Sequence, residues 1–291
     1  MNRKIALITG ASRGLGKNAA LHLVAQGIDI IGTYNSRADE AQALVAEIES
    51  LGGRAVMLQL DVARSEQFDA FGSEVAKVLH SHFERERFDF LVNNAGIGLH
   101  ANFVDTTVEQ FDLLVNIHFK GPFFLTQTLL PLLNDGGRIV NISSGLARFS
   151  LPGHSAYAAM KGAMEVLTRY QAKELGARNI AVNILAPGAI ETDFSGGAVR
   201  DNPELNTLVA NNTALGRAGL PDDIGAAIAL LLAPGSQWIN GQRIEASGGD
   251  VFVRRPVARE FAPSPQKPGS YTAQQTSRVI TIRSRSTSYT Q

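Results

Sequence analysis

Apolar residues along this chain come in two rhythms. Short runs rich in Val, Ile and Leu, with little polar alternation, occupy residues 4–9, 28–33, 55–60, 88–93, 137–143, 181–186 and 243–246. Strands covered on both faces read this way, because neither face meets water. Between them, apolar positions recur at three- and four-residue spacing over 15–26, 37–51, 65–82, 107–133, 155–176 and 221–233. That spacing predicts helices with one apolar stripe. Ser65 with Glu66 and Gln67 reads as a helix start, and Gly27, Gly52 and Gly176 fall where helices stop. Alternating strands and helices predict an α/β fold, a doubly wound parallel sheet with helices on both faces and right-handed crossovers. Ligands of such sheets bind beyond the carboxyl ends of the strands.

Composition narrows the function. Apolar residues make up 44% and charged residues 19%, enough for a sizeable core. Lys and Arg balance Asp and Glu at 27 each, so no overall charge argues for a nucleic-acid partner. The absence of cysteine excludes disulfides, iron–sulfur clusters and a thiol nucleophile, and no metal site is predicted. Apolar runs fall short of the ~20 residues a membrane span needs. The apolar stretch near Met1 is too short for a signal peptide. A soluble, cytoplasmic protein without a membrane partner is expected. Charge is uneven, however: residues 254–291 hold seven basic residues and one acid, leaving 20 basic and 26 acidic residues before them. This Ser-, Thr-, Pro- and Gln-rich end reads as a disordered basic tail, so the folded domain is expected to span 1–253.

The first strand runs into Thr9-Gly10-Ala11-Ser12-Arg13-Gly14-Leu15-Gly16, which opens a helix. Gly10 permits a sharp turn, Gly14 a close approach of backbone to a pyrophosphate, and Gly16 close helix packing. The helix N-terminus adds N–H groups and a positive dipole end. About 20 residues on, where an NAD site usually carries an acid, the chain reads Thr33-Tyr34-Asn35-Ser36-Arg37. With no carboxylate there, a 2′-phosphate would meet Asn35 and Ser36, with charge from Arg13 and Arg37. NADP(H) is therefore expected over NAD(H). The competing reading is that both arginines are ordinary surface residues, with Asp39 and Glu40 close by.

Tyr157 and Lys161 stand four residues apart at the start of a long helix, on one face. An ammonium beside a phenol favours phenolate, so a lowered tyrosine pKa is expected, near what acid–base work requires. Ser144, after the fifth strand, is placed to hydrogen-bond a carbonyl oxygen; Ser143 is the competing hydroxyl. Asn93-Asn94-Ala95-Gly96 closes the fourth strand in the same crevice. Asn116 is polar inside an apolar helical run, a pattern that also fits a structural network.

In their order and spacing these segments, with Pro187-Gly188-Ala189-Ile190-Glu191-Thr192, resemble the short-chain dehydrogenase/reductase family over roughly residues 3–252, and its 3-oxoacyl-[acyl-carrier-protein] reductase-like branch in particular. The resemblance implies a Rossmann-type, seven-stranded sheet in the order 3-2-1-4-5-6-7 and a catalytic tetrad of Asn116, Ser144, Tyr157 and Lys161. By it, Tyr157 protonates the carbonyl oxygen and Ser144 holds it. Lys161 binds the nicotinamide ribose and depresses the tyrosine pKa, while Asn116 places a water. It assigns Asp61 and Val62 to adenine, and Asn94, Ala95 and Gly96 to the cofactor crevice. Pro187, Gly188, Ile190 and Thr192 belong to the nicotinamide end. The activity implied is an oxidoreductase of the CH–OH class, an NADPH-dependent reductase of a ketone or aldehyde. The alternatives are an NAD(P)-dependent alcohol or sugar dehydrogenase working toward oxidation, or a cofactor-binding regulator without chemistry. Met160, where the family usually has Ser or Ala, departs from the pattern, as does the long tail. Leu146, Phe149, His154, Ile190 and Phe194 are expected to wall an apolar substrate pocket. The stretch 195–212 would be its lid, and His154 reads equally as a loop hydrogen-bonder. No cationic patch marks an acyl-carrier partner. Apolar excess on 107–133 and 155–176 suggests a homo-oligomer, with a tetramer expected.

Overall fold

The computed structural model describes residues 3–249. The expected boundary at Val253 and the basic segment 254–291 lie outside the described residues. In chain order the elements are β1 (Ile5–Ile8), α1 (Gly14–Ala25), β2 (Asp29–Tyr34), α2 (Ala38–Ser50), β3 (Ala55–Gln59), α3 (Phe68–Phe83), β4 (Phe88–Asn93) and α4 (Val108–Val115). They continue through α5 (Gly121–Leu129), β5 (Leu133–Ile142), α6 (Ser155–Glu174), β6 (Ala181–Pro187), α7 (Ala198–Asp201), α8 (Pro203–Asn212), α9 (Pro221–Leu232) and β7 (Arg243–Ala246). The strands form one parallel sheet in the order β3-β2-β1-β4-β5-β6-β7, the order the resemblance implies.

Strand alternation divides the core in two. Ile5 and Leu7 of β1 face one way, with Phe71, Val75 and Leu79 of α3 and Leu125 and Leu129 of α5. Ala6 and Ile8 face the other, with Ala20 and Leu23 of α1, Leu44 and Ile48 of α2 and Ile224 and Ile228 of α9. Each fully buried side chain of this size contributes about 1.5–3 kcal/mol. Both faces being dry explains the unbroken apolar runs. Among polar residues inside, Asn93 Nδ2 donates to Asn141 Oδ1 (2.8 Å) on the neighbouring strand and to Thr126 Oγ1 (3.0 Å) on α5. Asn141 Nδ2 then donates to Thr168 Oγ1 (2.9 Å) and Gln171 Oε1 (3.0 Å) on α6. This chain of amides fixes α6 against the sheet. Among the described residues no helix is long and apolar enough to cross a membrane.

Two expectations change. The helix expected over 107–133 is broken into α4, a π turn over Asn116–Lys120, α5 and a 3₁₀ turn at Leu130–Leu132. Pro122 has no N–H to donate to the carbonyl four residues back, and the Gly121 N–H instead reaches Asn116 O, five residues back. Pro131 ends the run for the same reason, and β5 begins early at Leu133, with a register shift before Arg138. The 195–212 lid is not a loop but contains α7 and α8. Asn202 Oδ1 caps α8 by accepting from Glu204 N (3.0 Å) and Leu205 N (3.1 Å), with Pro203 in the first turn. That Asn-Pro-Glu signature was in the sequence to be found. Gly176 follows Leu175, the cap at the end of α6, as expected, and the left-handed turn comes at Asn179, with φ 53°.

Candidate active site

A cleft of about 460 Å³ opens at the carboxyl ends of the strands. The loop after β1 forms its floor. Gly10 and Gly14 have φ 65° and 56°, left-handed backbone that disfavours side chains. A Cβ on Gly14 would meet nothing within 4 Å, so this part of the loop faces open cleft. A Cβ on Gly16 would lie 2.6 Å from Asn94 Nδ2 and press on the Gly10 carbonyl, so Gly16 sits behind the loop and lets α1 lie against it. Hydroxyls pin the loop. Thr9 Oγ1 accepts from the N–H groups of Asn94 (2.9 Å) and Ala95 (3.0 Å), and Thr33 Oγ1 from that of Gly10 (3.1 Å). Asn94 Nδ2 returns bonds to Thr9 O (2.9 Å) and Gly10 O (3.0 Å). Gly16→Ala should therefore cost about 1–3 kcal/mol through overpacking, read as a lower Tm together with weaker dinucleotide binding. An unchanged Tm would show that α1 can yield.

No side chain caps α1, and its first turn carries no acid, which leaves the positive end of the helix facing the cleft. Ser12, Arg13 and Leu15 line the cleft here, and Asn35 and Ser36 line it at the end of β2, where no carboxylate stands. The two candidate arginines differ. Arg37 is held by Glu40 (2.7 Å) and Asp39 (3.6 Å). Arg13 has only a 3.9 Å approach to Asp193, so it is the cation with more charge to offer an incoming phosphate. Asp61 and Val62, Asn94 to Gly96, and Pro187, Gly188, Ile190 and Thr192 also line the cleft, and Asp61 Oδ1 accepts from Ala63 N (2.9 Å) in a local turn. Cradle, helix terminus and uncharged strand end fit a phosphorylated dinucleotide.

Ser144, Tyr157 and Lys161 meet at the inner end of the cleft. Ser143 and Ser144 are separated by their partners. Ser143 Oγ donates to Glu165 Oε1 (2.7 Å), in a cluster that also holds Arg243. Ser144 Oγ accepts from Leu146 N (3.2 Å) and hydrogen-bonds Tyr157. Lys161 is 5% exposed and donates to Ile142 O (2.8 Å), with Nζ 5.5 Å from the centre of the Tyr157 ring. Burial pushes its pKa down to about 8. Tyr157 is 7% exposed, and burial raises its pKa, with the Ser144 hydrogen bond acting in the opposite direction. This reverses the expected lowering: desolvation of a phenolate outweighs the ammonium, which is turned to a backbone carbonyl. The phenol stays protonated at neutral pH, a proton donor held beside a hydroxyl.

Not every expected residue reaches the cleft wall. Phe194 does, with its ring 6.0 Å from that of Tyr157. Leu146, Phe149 and His154 do not. Phe149 packs on Gly145, where a Cβ would lie 2.8 Å from its ring, and His154 stands edge-on to His100 with centroids 5.2 Å apart. Asn116 is also absent from the wall; it begins the π turn, and its carbonyl accepts from Gly121 N. Among the residues that the motifs do not reveal, His118 lines the wall against Tyr157, and Ile97 and Ile117 line it too.

A profile described as enoyl-(acyl carrier protein) reductase matches residues 10–250. The hydroxynaphthalene reductase-like protein of Metarhizium brunneum is 36% identical over 259 residues, 85% of this chain and 95% of the relative. Among solved structures, the promiscuous reductase LugOII, which catalyses keto-reduction at C1 during lugdunomycin biosynthesis, has a TM-score of 0.81 and 37% identity, covering 85% of this chain and 97% of that one. The angucycline C-6 ketoreductase LanV, solved with bound NADP, has a TM-score of 0.80 and 34% identity, covering 85% and 95%.

Proposed function

Because this chain belongs to the short-chain dehydrogenase/reductase family, we propose that it is an NADPH-dependent ketoreductase whose substrate is a ketone on a fused aromatic or polyketide-type ring. The observation that carries this reading is the buried Tyr157 beside Ser144 and Lys161, in a cleft whose β2 end lacks a carboxylate. Bound NADPH supplies the hydride. Tyr157 donates its phenolic proton to the carbonyl oxygen as negative charge develops there, and Ser144 Oγ hydrogen-bonds the same oxygen. The Lys161 ammonium stabilises the phenolate left behind and binds the nicotinamide ribose. The loop after β1 and the N-terminus of α1 would hold the pyrophosphate. Phe194, Ile97 and Ile190 line the cleft with apolar side chains, and the ring substrate class rests on the relatives' named activities.

The test follows NADPH consumption with a hydroxylated naphthalenone, an open-chain ketone and a 3-oxoacyl thioester. The bicyclic ketone should give the highest kcat/KM. No turnover with any of the three would overturn the reductase reading, and preference for the thioester would move the substrate to the acyl class. Cofactor choice has its own check. Arg13→Ala should weaken NADPH about tenfold or more and NADH little, since a charge-assisted hydrogen bond is worth roughly 1.5–3 kcal/mol. Equal losses for both cofactors would return Arg13 to an ordinary surface role. The working molecule is proposed to be a homotetramer, supported by the exposed apolar groove of Phe123, Val166 and Tyr170 on α5 and α6 and by a 97% exposed Trp238 before β7. A monomeric elution volume at full activity would refute it.

A further inference from the structure

We propose that Arg243 and Glu165 are positioning residues that hold the end of β5 so that Ser144 Oγ meets the reacting carbonyl oxygen, an inference that rests on Ser144 having that role. Tyr157, Lys161 and Glu165 stand four residues apart along α6 and share one face. That face meets consecutive residues where β5 ends. Lys161 Nζ donates to Ile142 O (2.8 Å), and Ser143 Oγ donates to Glu165 Oε1 (2.7 Å). Arg243 Nη2 approaches Ser144 O at 3.5 Å. Arg243 belongs to β7 and is in register with Ile184 of β6, so its side chain crosses one strand to reach the end of β5. Its Nε donates to Glu165 Oε1 (2.6 Å) and its Nη1 to Glu245 Oε2 (2.8 Å), which also accepts from Arg148 Nη1 (3.1 Å). One guanidinium therefore holds the carboxylate that grips Ser143 and reaches toward the carbonyl of Ser144.

Stability does not account for this arrangement. The Arg243 and Glu165 side chains are 19% and 17% exposed, and ion pairs this sheltered gain little over apolar side chains of similar size. Glu245 Oε1 is buried without a hydrogen-bond partner among the described residues, which costs further free energy. What the cluster supplies is a fixed backbone. Ser143 N donates to Leu185 O (2.7 Å), so Ser143 is held by its main chain as well as by its hydroxyl. Ser144 follows directly in extended conformation, with φ −160° and ψ 153°, and its Oγ bonds Leu146 N and Tyr157. A shift of Ser143 would carry Ser144 Oγ with it, while Tyr157 and Lys161 stay on α6. Arg148, Glu165, Arg243 and Glu245 do not line the cleft, so the cluster acts through Ser143 and Ser144.

The test is a double-substitution cycle on the full chain. Arg243→Met removes the guanidinium and keeps a long side chain. Misplacement of reacting groups is costly, so it should lower kcat about tenfold and leave NADPH affinity unchanged. Ser143→Ala removes one hydroxyl, leaves the four charges paired, and should lower kcat about threefold, the worth of one hydrogen bond. Glu165→Gln keeps an acceptor for Ser143 and Arg243 and should stay within about twofold of the unsubstituted protein. Each substitution is repeated together with Ser144→Ala. There, neither Arg243→Met nor Ser143→Ala should lower kcat by more than about a further twofold, because residues that act through one group are not additive. A structural role alone gives the opposite pattern, a loss of kcat that persists without Ser144, and that result overturns the proposal. So does unchanged kcat in Arg243→Met or Ser143→Ala, a Glu165→Gln variant as slow as Arg243→Met, or NADPH affinity that falls in step with kcat. If Arg243→Met does not fold, Ser143→Ala decides by the same criteria. Full turnover in Ser144→Ala alone overturns the role given to Ser144 and the proposal with it. A slow Ser144→Ala beside harmless cluster substitutions overturns the proposal and leaves that role standing.

Discussion

Tyr157→Phe is expected to lower turnover by about 10²–10⁴, the usual contribution of a positioned general acid. The substitution removes one hydroxyl and leaves the ring, so the edge contact with His118 and the approach of Phe194 both survive. NADPH affinity, measured by fluorescence titration without substrate, should change little. Stability should fall only by about 0.5–1.5 kcal/mol, the net worth of the lost hydrogen bond to Ser144. The raised pKa adds a second expectation. Since the phenol holds its proton well above neutrality, tyrosine ionisation should not limit reduction between pH 6 and 9. Near-normal turnover in the Phe variant would remove Tyr157 from the chemistry.

Lys161→Ala should reduce kcat and NADPH affinity together. Its ammonium is assigned both to the ribose and to the phenolate, and loss of one charge-assisted hydrogen bond alone accounts for about tenfold in affinity. The pH dependence supplies a sharper reading. Burial brings the lysine down to about 8, so the ammonium is present below that pH and lost above it. Reduction by the unsubstituted protein should hold at neutral pH and decline as pH rises through about 8, whereas the Ala variant should be slow and nearly flat across the same range. A change in only one of kcat and NADPH affinity would contradict the dual role. An alkaline limb that persists in the Ala variant would assign that titration to another group.

What could be read from the sequence depends on how local its cause is. The apolar runs of β1, β4 and β6 announced a sheet covered on both faces because burial on each side leaves its mark residue by residue. Tyr157, Lys161 and Ser144 were legible because helix pitch and strand ends place them without further knowledge of packing. The tyrosine pKa was not, since sequence shows that an ammonium is near but not that both groups are dry, nor that Ile142 O takes the ammonium's hydrogen bond. Phe149 and His154 lie away from the cleft wall for a related reason: nearness in sequence to α6 does not set where a side chain points. His118 looked like any polar residue in an amphipathic stretch, and it faces inward because Pro122, four residues later, cannot donate to its carbonyl. The pins from Thr9 and Thr33 have no signal beyond a hydroxyl at a strand end.

That π turn makes the segment sensitive to length in a way no substitution reveals. Gly121 bonds five residues back, so α4 and α5 differ in phase by one residue from a continuous helix. Leu125 and Leu129 reach the core with that extra residue counted in. Removing one residue between Asn116 and Lys120 would turn the Gly121 bond to the Asn116 carbonyl into an ordinary helical step and leave α5 in phase, whereas adding one would turn everything after it by about 100°. With a residue added, Leu125 and Leu129 would swing off the sheet and Asn93 would lose its bond to Thr126, while the capping of α4 by Thr107 would be untouched. The turn already takes up one extra residue, so this segment can lose a residue more easily than it can gain one.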